Sequence, residues 1–418
     1  MMRGRRATSL MRVAVSAVIA ALALLGAAQP LAAQQPGAAI RVSVLTFGQG
    51  DAVFELFGHN ALRIQDPSTG LDLAYNWGLF SFEDPNFLGR FLSGDTQYWV
   101  AGIPTPDLLQ FYAQADRETH EQELNLTPTQ RAELAALAAE NALEANKYYR
   151  YDYFRDNCST RLRDILDQVL GGALQRRFLE MRTTLTYRSE SVRLTAPNGL
   201  AQAGIDIALG QKADVPLTAW EAMFIPMRLR DYLRDVSIAD VDGHTVPLVI
   251  DERVLYRAKR APELPERRGL TLGAWGPVLG AWMLILAPIS VAAKRRSRIP
   301  AAVMAFLWYG LVGLIGVLVL GMWIGSAHVF WYNNFNLLLV SPLGLIAAFP
   351  LARSVLRGRL DTLSTGLLVA MAGMAVFALL MTPFTTQRLG GPLLLFLPAQ
   401  LGLAVAIWRH TRPDPVVV

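Results

Sequence analysis

The sequence of 418 residues contains a single cysteine, Cys158, and few charged side chains. One cysteine excludes a disulfide framework and a zinc site built from four thiolates. Charged residues make up 17% of the chain, against about a quarter in an average soluble domain, and the mean hydropathy is +0.29. These values argue against a purely cytosolic globular protein. The net charge of +5 is modest, and we expect no nucleic-acid partner.

Residues 1–34 have the pattern of a secretory signal peptide. Arginines at positions 3, 5, 6 and 12 precede an apolar stretch over 13–28, and small residues come just before Gln34. A positive segment, an apolar segment and a small-residue cleavage site are the three parts of such a signal. The alternative that the sequence leaves open is an uncleaved anchor helix.

The rest of the chain divides into a soluble part and a membrane part. Within residues 38–260 no run approaches the roughly 18 apolar residues that a spanning helix needs. Five apolar stretches of about that length follow, at 271–293, 301–325, 335–352, 363–382 and 391–408. The sequence therefore predicts a folded domain over 38–260, five transmembrane helices over 271–408 and a short tail, 409–418.

The basic residues between these stretches alternate in the way typical of membrane proteins. Segments 294–298, 353–359 and 409–412 carry most of them, whereas loops 326–334 and 383–390 contain only Arg388. Because lysine and arginine are retained on the cytoplasmic side, we expect the C-terminus in the cytoplasm and residues 38–270 outside. Basic residues between 257 and 268 run against this pattern, and a signal peptide would carry them across with the domain.

A β-hairpin is predicted around two polar residues, His59 and Asn76. Strand-forming residues at 59–64 and 71–77 flank the turn sequence Asp-Pro-Ser-Thr-Gly at 66–70, which is the usual pattern of a hairpin. If Ile64 pairs with Leu71, His59 lies opposite Asn76, with Cβ atoms about 5 Å apart.

Cys158 is predicted in the first turn of a helix. Asp156 or Asn157 can cap that helix, apolar residues follow at helical spacing, and glycines at 171 and 172 end it. The helix macrodipole and the free N–H groups of a first turn favour a thiolate, which predicts a lowered pKa and a nucleophilic cysteine. The alternative is a small core residue, a common role for a lone cysteine.

His59 is the best candidate for the base that a cysteine nucleophile needs. The soluble part has only two other histidines: His120, which lies among charged residues, and His244, which follows an Asp-Gly turn. Asn76 is the first candidate to orient the His59 ring, and Asp72 is the second. A purely structural role for these strand residues is the alternative.

Polar residues also gather at the predicted outer end of one span. His328, Asn334 and Asn336 lie there beside Trp331 and Tyr332, and the latter two suit a membrane–water interface. A polar group at a span is a functional candidate, and a cap for the helix is the alternative.

Seven aromatic residues follow the hairpin or close it, and we interpret them as core rather than as a lipid-binding groove. They are Trp77, Phe80, Phe82, Phe87, Phe91, Tyr98 and Trp99.

The order of these motifs resembles a known group of enzymes. A strand histidine, a polar strand residue and a later Asn-Cys at a helix start are similar to the permuted papain-like thiol enzymes, which include NlpC/P60 relatives and lecithin–retinol acyltransferase. Segments 57–64, 75–80, 85–87, 151–160, 220–226 and 334–338 resemble the narrower Lnb-type lipoprotein N-acyltransferase family. This resemblance implies an α+β fold: a permuted papain-like periplasmic domain, followed by an all-α membrane domain of about five transmembrane helices.

The resemblance also implies a reaction and its place in the cell. Such an enzyme lies in the inner membrane and moves a fatty acyl chain from a glycerophospholipid to the α-amino group of the N-terminal cysteine of a bacterial lipoprotein. The chain would pass through a thioester on Cys158, with His59 as base, Asn76 orienting it, and no cofactor. The residues implied to bind substrate are Tyr153, Asp156, Asn157, His328, Asn334 and Asn336.

Two other functions fit the same residues. A membrane-tethered periplasmic cysteine amidase or peptidase acting on cell-wall peptides would use an identical dyad, although five spans are more than a tether requires. A non-catalytic membrane binding module would keep Cys158 in its core. A metal site is not predicted, because Asp and His show no ligand pairing at i, i+3 or i, i+4 on a helix.

Overall fold

The structure is a computed structural model of the chain, and it describes residues 35–83, 86–260, 277–282 and 298–411. The predicted signal peptide, 1–34, lies outside these ranges, as does the tail beyond residue 411. Most of the first predicted span, 271–293, also lies outside them. Within that span, residues 277–282 are helical.

A seven-stranded antiparallel sheet organises the soluble part. Its strands are β1 (Arg41–Phe47), β2 (His59–Asp66), β3 (Leu71–Leu79), β4 (Gln97–Pro104), β5 (Thr119–Leu124), β6 (Tyr148–Arg150) and β9 (Val249–Tyr256). They are arranged in the order β6-β4-β3-β2-β1-β5-β9, which puts β2 and β3 near the centre. Two short strands, β7 (Ser237–Ala239) and β8 (Thr245–Pro247), pair with each other apart from this sheet.

Short helices surround the sheet. They are α1 (Phe87–Ser93), α2 (Thr105–Gln114), α3 (Pro128–Asn141), α4 (Cys158–Val169), α5 (Ala173–Phe178), α6 (Tyr187–Leu194), α7 (Gly199–Ala208), α8 (Ala219–Ala222) and α9 (Pro226–Arg234). Thr127 and Gln130 form a capping box at the start of α3. This helix ends at Asn141, and the chain turns before β6 pairs with β4.

Both faces of the sheet are covered. On one face, Val44 and Leu62 pack in the same core as Leu166 of α4. On the opposite face, Phe47 packs in a second core with Tyr112 of α2. Side chains alternate between the two faces because successive residues of a strand point to opposite sides. The start of α4 lies at the end of the sheet where β2 begins and β3 ends.

The β2–β3 hairpin forms, but the predicted register was wrong by two residues. Ile64 pairs with Leu73 rather than with Leu71. The loop between the strands is residues 67–70, which is shorter than the predicted register requires. Asp66 closes it by accepting hydrogen bonds from the N–H and hydroxyl groups of Ser68 and Thr69. A shift by two residues leaves every side chain on its predicted face, so the two polar residues of the hairpin still lie on one face.

The second half of the chain is helical. Four helices of the described residues are long and apolar enough to cross a membrane, and they confirm four of the five predicted spans. They are α10 (Arg298–Gly325), α11 (Leu343–Arg357, which a short turn extends back to Phe335), α12 (Thr362–Met381) and α13 (Gly390–His410).

Loops at one end of these spans dock onto the soluble part. Asn334 and Asn336 donate hydrogen bonds to the carbonyl groups of 206–208, at the end of α7. Gln387, from the other loop, donates to the carbonyl of Leu209 and to Asn334 Oδ1. The three amide side chains are buried. The two halves are therefore held together by bonded, buried polar groups.

Candidate active site

Cys158 is the first residue of α4, and Asn157 caps this helix. Asn157 Oδ1 accepts hydrogen bonds from the N–H groups of the two residues after the cysteine, at 2.9 and 3.0 Å. Its Nδ2 donates to the carbonyls of Tyr153 and Phe224, at 3.0 and 2.9 Å. Because these four bonds use the whole amide, Asn157 fixes the helix start that carries the cysteine.

The thiol of Cys158 is neutral in the resting protein. Burial raises its pKa to about 11, since loss of hydration disfavours a thiolate. The N–H groups of Asn60 and Ser159 and the charge of Arg117 lower the pKa without outweighing burial. The lowered pKa predicted from the helix start was therefore wrong, and the thiol needs a base in order to react.

His59, at the start of β2, is hydrogen-bonded through Nε2 to Oδ1 of Asn76 on β3. Since an amide oxygen only accepts, Nε2 carries the proton and Nδ1 is left as the basic nitrogen. Burial lowers the pKa of His59 to about 4; the bond to Asn76 opposes this shift and the charge of Arg117 adds to it. The second candidate for orienting the ring, Asp72, instead accepts two hydrogen bonds from Arg63.

Gly78 lies next to both the cysteine and the histidine. A Cβ atom at Gly78 would lie 3.6 Å from Cys158 Cβ and 3.9 Å from His59 Cε1. Both side chains therefore border one small space, which the missing side chain of the glycine leaves open. Gly78 has φ of +91°, a conformation that side-chain-bearing residues adopt at a cost, and the register of β3 with β4 shifts at this point.

Arg117 and Tyr112 support the histidine, and sequence reasoning missed both. The rings of His59 and Tyr112 are stacked with centroids 6.1 Å apart, and the guanidinium of Arg117 lies 4.7 Å from the Tyr112 centroid. Arg117 is 3% exposed and donates to the carbonyl of Gly48 and to Glu55. These residues come from α2 and the loop before β5, so no local motif links them to the hairpin.

Two family models match the chain. The model of the Lnb N-terminal periplasmic domain matches residues 28–191, and the model of the Lnb transmembrane domain matches residues 272–412. Together they cover more than half of the chain.

The chain belongs to the Lnb family.

Membership in the Lnb family agrees with the architecture. It makes the chain an inner-membrane protein with a periplasmic domain and a transmembrane region, and the structure has a sheet-rich domain followed by apolar helices. No curated protein and no solved structure matches the chain significantly.

Three of the residues predicted to bind substrate, Tyr153, Asp156 and His328, lie in or beside the segment that leads to Cys158. Asp156 is paired with Arg161, whose guanidinium lies 4.0 Å from the ring centroid of Tyr149. The ring of Tyr153 lies 5.5 Å from that of His328. His328, in the loop after α10, thus reaches the approach to Cys158 from the membrane part.

Asn334 and Asn336 lie elsewhere. Their amides bind the end of α7, beside a buried cluster in which Arg188 bonds Asp206 and Asp214. In this structure they join the two halves of the Lnb protein, and no contact of the described residues links them directly to the cysteine.

One group of described residues has the spacing of possible metal ligands: Asp240, Asp242 and His244, in the turn between β7 and β8. Asp240 Oδ1 accepts hydrogen bonds from the N–H groups of Asp242 and His244. The carboxylate thus shapes the turn, which lies outside the Lnb site described above.

Proposed function

We propose that this chain is a membrane-bound lipoprotein N-acyltransferase with a cysteine nucleophile. The acyl donor is a glycerophospholipid, and the acceptor is the α-amino group of the N-terminal cysteine of a bacterial lipoprotein. The observation that supports the proposal is that Cys158 and His59 both lie next to Gly78, with Asn76 bonded to Nε2 of the histidine, in a domain joined to membrane spans. The domain would face the periplasm and the C-terminus the cytoplasm.

The first half of the reaction forms a thioester. His59 Nδ1 takes the thiol proton as Cys158 Sγ attacks the ester carbonyl carbon of the phospholipid. The carbonyl oxygen becomes an oxyanion, and the N–H groups of Asn60 and of Cys158 itself, which both lower the thiol pKa, are the donors that would receive it. When the carbon–oxygen bond breaks, the imidazolium returns its proton to the lysophospholipid, which leaves.

The second half transfers the acyl chain. The neutral amine of the acceptor attacks the thioester carbonyl and gives one proton to His59 Nδ1. The carbon–sulfur bond breaks, an amide forms, and the imidazolium returns the proton to the leaving sulfur of Cys158. The enzyme thus ends in its starting state, with neutral thiol and neutral imidazole, and no cofactor is required.

The joint between the two halves supports a lipid reaction. Asn334 and Gln387 bind the soluble part from two different membrane loops, and His328 packs against Tyr153, five residues before the cysteine. Such contacts keep the cysteine close to the bilayer, where both lipidated substrates reside. A cell-wall amidase or peptidase would need only a tether, which is why we prefer the transferase.

The test is transfer to a defined acceptor. The full chain, purified in detergent, is incubated with a phosphatidylethanolamine and a synthetic peptide that starts with a diacylglyceryl cysteine. Mass spectrometry should show the peptide gaining one fatty acyl group. His59→Gln should lower the rate by about 10²- to 10⁴-fold, the usual contribution of a positioned base, and Cys158→Ala should abolish it.

His120→Gln is the matched control for loss of a histidine. This histidine is half-buried on β5 and pairs with Glu118, so its replacement should leave transfer unchanged. Cleavage of cell-wall peptides without acyl transfer by the folded wild type would contradict the proposal and support the hydrolase.

A further inference from the structure

A group of phenylalanines near the site is only partly buried. We refer to Phe54, Phe80, Phe82, Phe87 and Phe91 as the phenylalanine patch. Phe82 is 64% exposed, Phe54 53% and Phe91 39%, so the prediction that all the aromatic residues after the hairpin are core was wrong for Phe82 and Phe91. Neighbouring rings are in contact, with centroids 4.9 to 6.3 Å apart. The patch is therefore one continuous apolar strip.

One end of the phenylalanine patch comes from the chain segments that flank the catalytic hairpin. Phe54 lies in the short turn at Val53–Glu55, just before β2 and His59. Phe80 follows Gly78 by two residues and packs against the same core as Cys158. The rings of Phe54 and Phe80 touch edge to face, 5.3 Å apart. Phe54 therefore precedes the catalytic hairpin in the chain, and Phe80 follows it.

The other end of the patch reaches the membrane part. Phe91, on α1, has its ring 5.9 Å from that of His328 and its carbonyl 2.6 Å from His328 Nε2. The N–H of Ala327 donates to the carbonyl of Ser93 at 2.8 Å. Because α10 ends at Gly325, α1 is docked on the predicted outer end of a span.

We propose that the phenylalanine patch binds a fatty acyl chain of the phospholipid donor and guides its ester to Cys158. This inference rests on the proposed function. An exposed apolar strip is unusual for a surface that faces water, and this one runs from the end of α10 to the two chain segments that flank His59 and Gly78. A lipid chain leaving the bilayer meets apolar contacts along that whole path, so a membrane lipid is the occupant that fits it.

The double variant Phe82→Ser/Phe91→Ser tests the proposal in the full chain. Two rates of acylation of Cys158 are followed by intact mass, one with dipalmitoyl phosphatidylethanolamine and one with p-nitrophenyl acetate, which has no long chain. The ratio of the first rate to the second should fall at least about tenfold relative to wild type, because each replaced ring removes apolar contact with the chain.

Phe384→Ser is the matched control. Phe384 is 79% exposed in the loop after α12, at the same predicted side of the membrane but away from α1, and its replacement should leave the ratio unchanged. An unchanged ratio in the double variant, or an equal fall in Phe384→Ser, would overturn the proposal. A double variant that forms the thioester normally but loses transfer to the peptide would also overturn it, since the patch would then bind the acceptor.

These outcomes differ from failure of the proposed function itself. If the wild type is acetylated at Cys158 but never acylated by phospholipid, the proposed donor is wrong, and the inference about the patch falls with it.

Discussion

Gly78→Ala should slow thioester formation at least about a hundredfold while leaving the protein folded. The added methyl group would lie 3.6 Å from Cys158 Cβ and 3.9 Å from His59 Cε1, which are ordinary van der Waals distances, so no neighbour has to move. In the proposed mechanism the substrate carbonyl enters this space, because reacting atoms have to approach to about 3–3.5 Å.

The magnitude of each effect follows from this geometry. At φ of +91°, alanine costs about 1–2 kcal/mol of folding free energy, which corresponds to a few degrees in the unfolding temperature of a domain of this size. A displacement of about 1 Å at the reacting centre lowers a rate by about 10²-fold, and a methyl group in the carbonyl position displaces it by more. Activity should therefore fall at least a hundredfold.

The hairpin offers a matched control, Gly70→Ala. Gly70 has φ of +76°, and nothing lies within 4 Å of the position of its Cβ, so the backbone penalty is similar and no space is filled. Acylation from phosphatidylethanolamine is followed by intact mass, and unfolding by the temperature dependence of circular dichroism. If Gly78→Ala is acylated within about threefold of Gly70→Ala, the space beside Gly78 is not where the substrate carbonyl binds.

Three further predictions concern the same site. The rate of Cys158 acylation should be flat from pH 5.5 to 8.5, because a pKa of about 4 for His59 keeps the imidazole neutral and basic well below pH 6.5; a rate profile that loses tenfold between pH 7.5 and 5.5 would contradict that pKa. Asn76→Asp should move the acidic limb of this profile to higher pH, since a carboxylate beside His59 favours the imidazolium, whereas an unmoved limb would show that residue 76 does not contact the ring. Asn157→Ala should lower the free energy of unfolding by about 2–3 kcal/mol, because a helix cap and buried hydrogen bonds are lost; an unchanged melting temperature would refute the role of Asn157 in fixing the helix start.

Local patterns predicted the core of the site. The helix start at Cys158 could be recognised because a cap, an apolar repeat and a glycine pair stand together in sequence. The pairing of His59 with Asn76 survived a wrong register, since a shift of two residues retains the face of a strand. The spans were predicted from composition, because a bilayer demands long apolar segments.

Long-range contacts were not predictable in this way. Arg117 affects the pKa of both Cys158 and His59, but it is brought there by the pairing of β5 with β1, which no local motif reports. The direction of the thiol pKa shift was missed for a related reason: a helix start is a local feature, whereas the burial that outweighs it comes from the whole fold.

For the polar residues of the membrane part, too, the position along the chain was predictable and the contacts were not. Sequence placed His328, Asn334 and Asn336 together at the outer end of a span. The structure separates them, with His328 beside Tyr153 and the two asparagines at the end of α7. The contacts of a loop residue depend on how the two halves of the chain dock. The spacing of residues along the sequence does not predict that docking.

The central claim is that Cys158 carries the acyl group, and intact mass of the purified full chain tests it most directly. After incubation with phospholipid and no acceptor, the wild type and His120→Gln should gain the mass of one fatty acyl group, hydroxylamine should remove it, and Cys158→Ala should show none. An adduct that persists in Cys158→Ala, or no adduct on folded wild-type protein, would contradict the account.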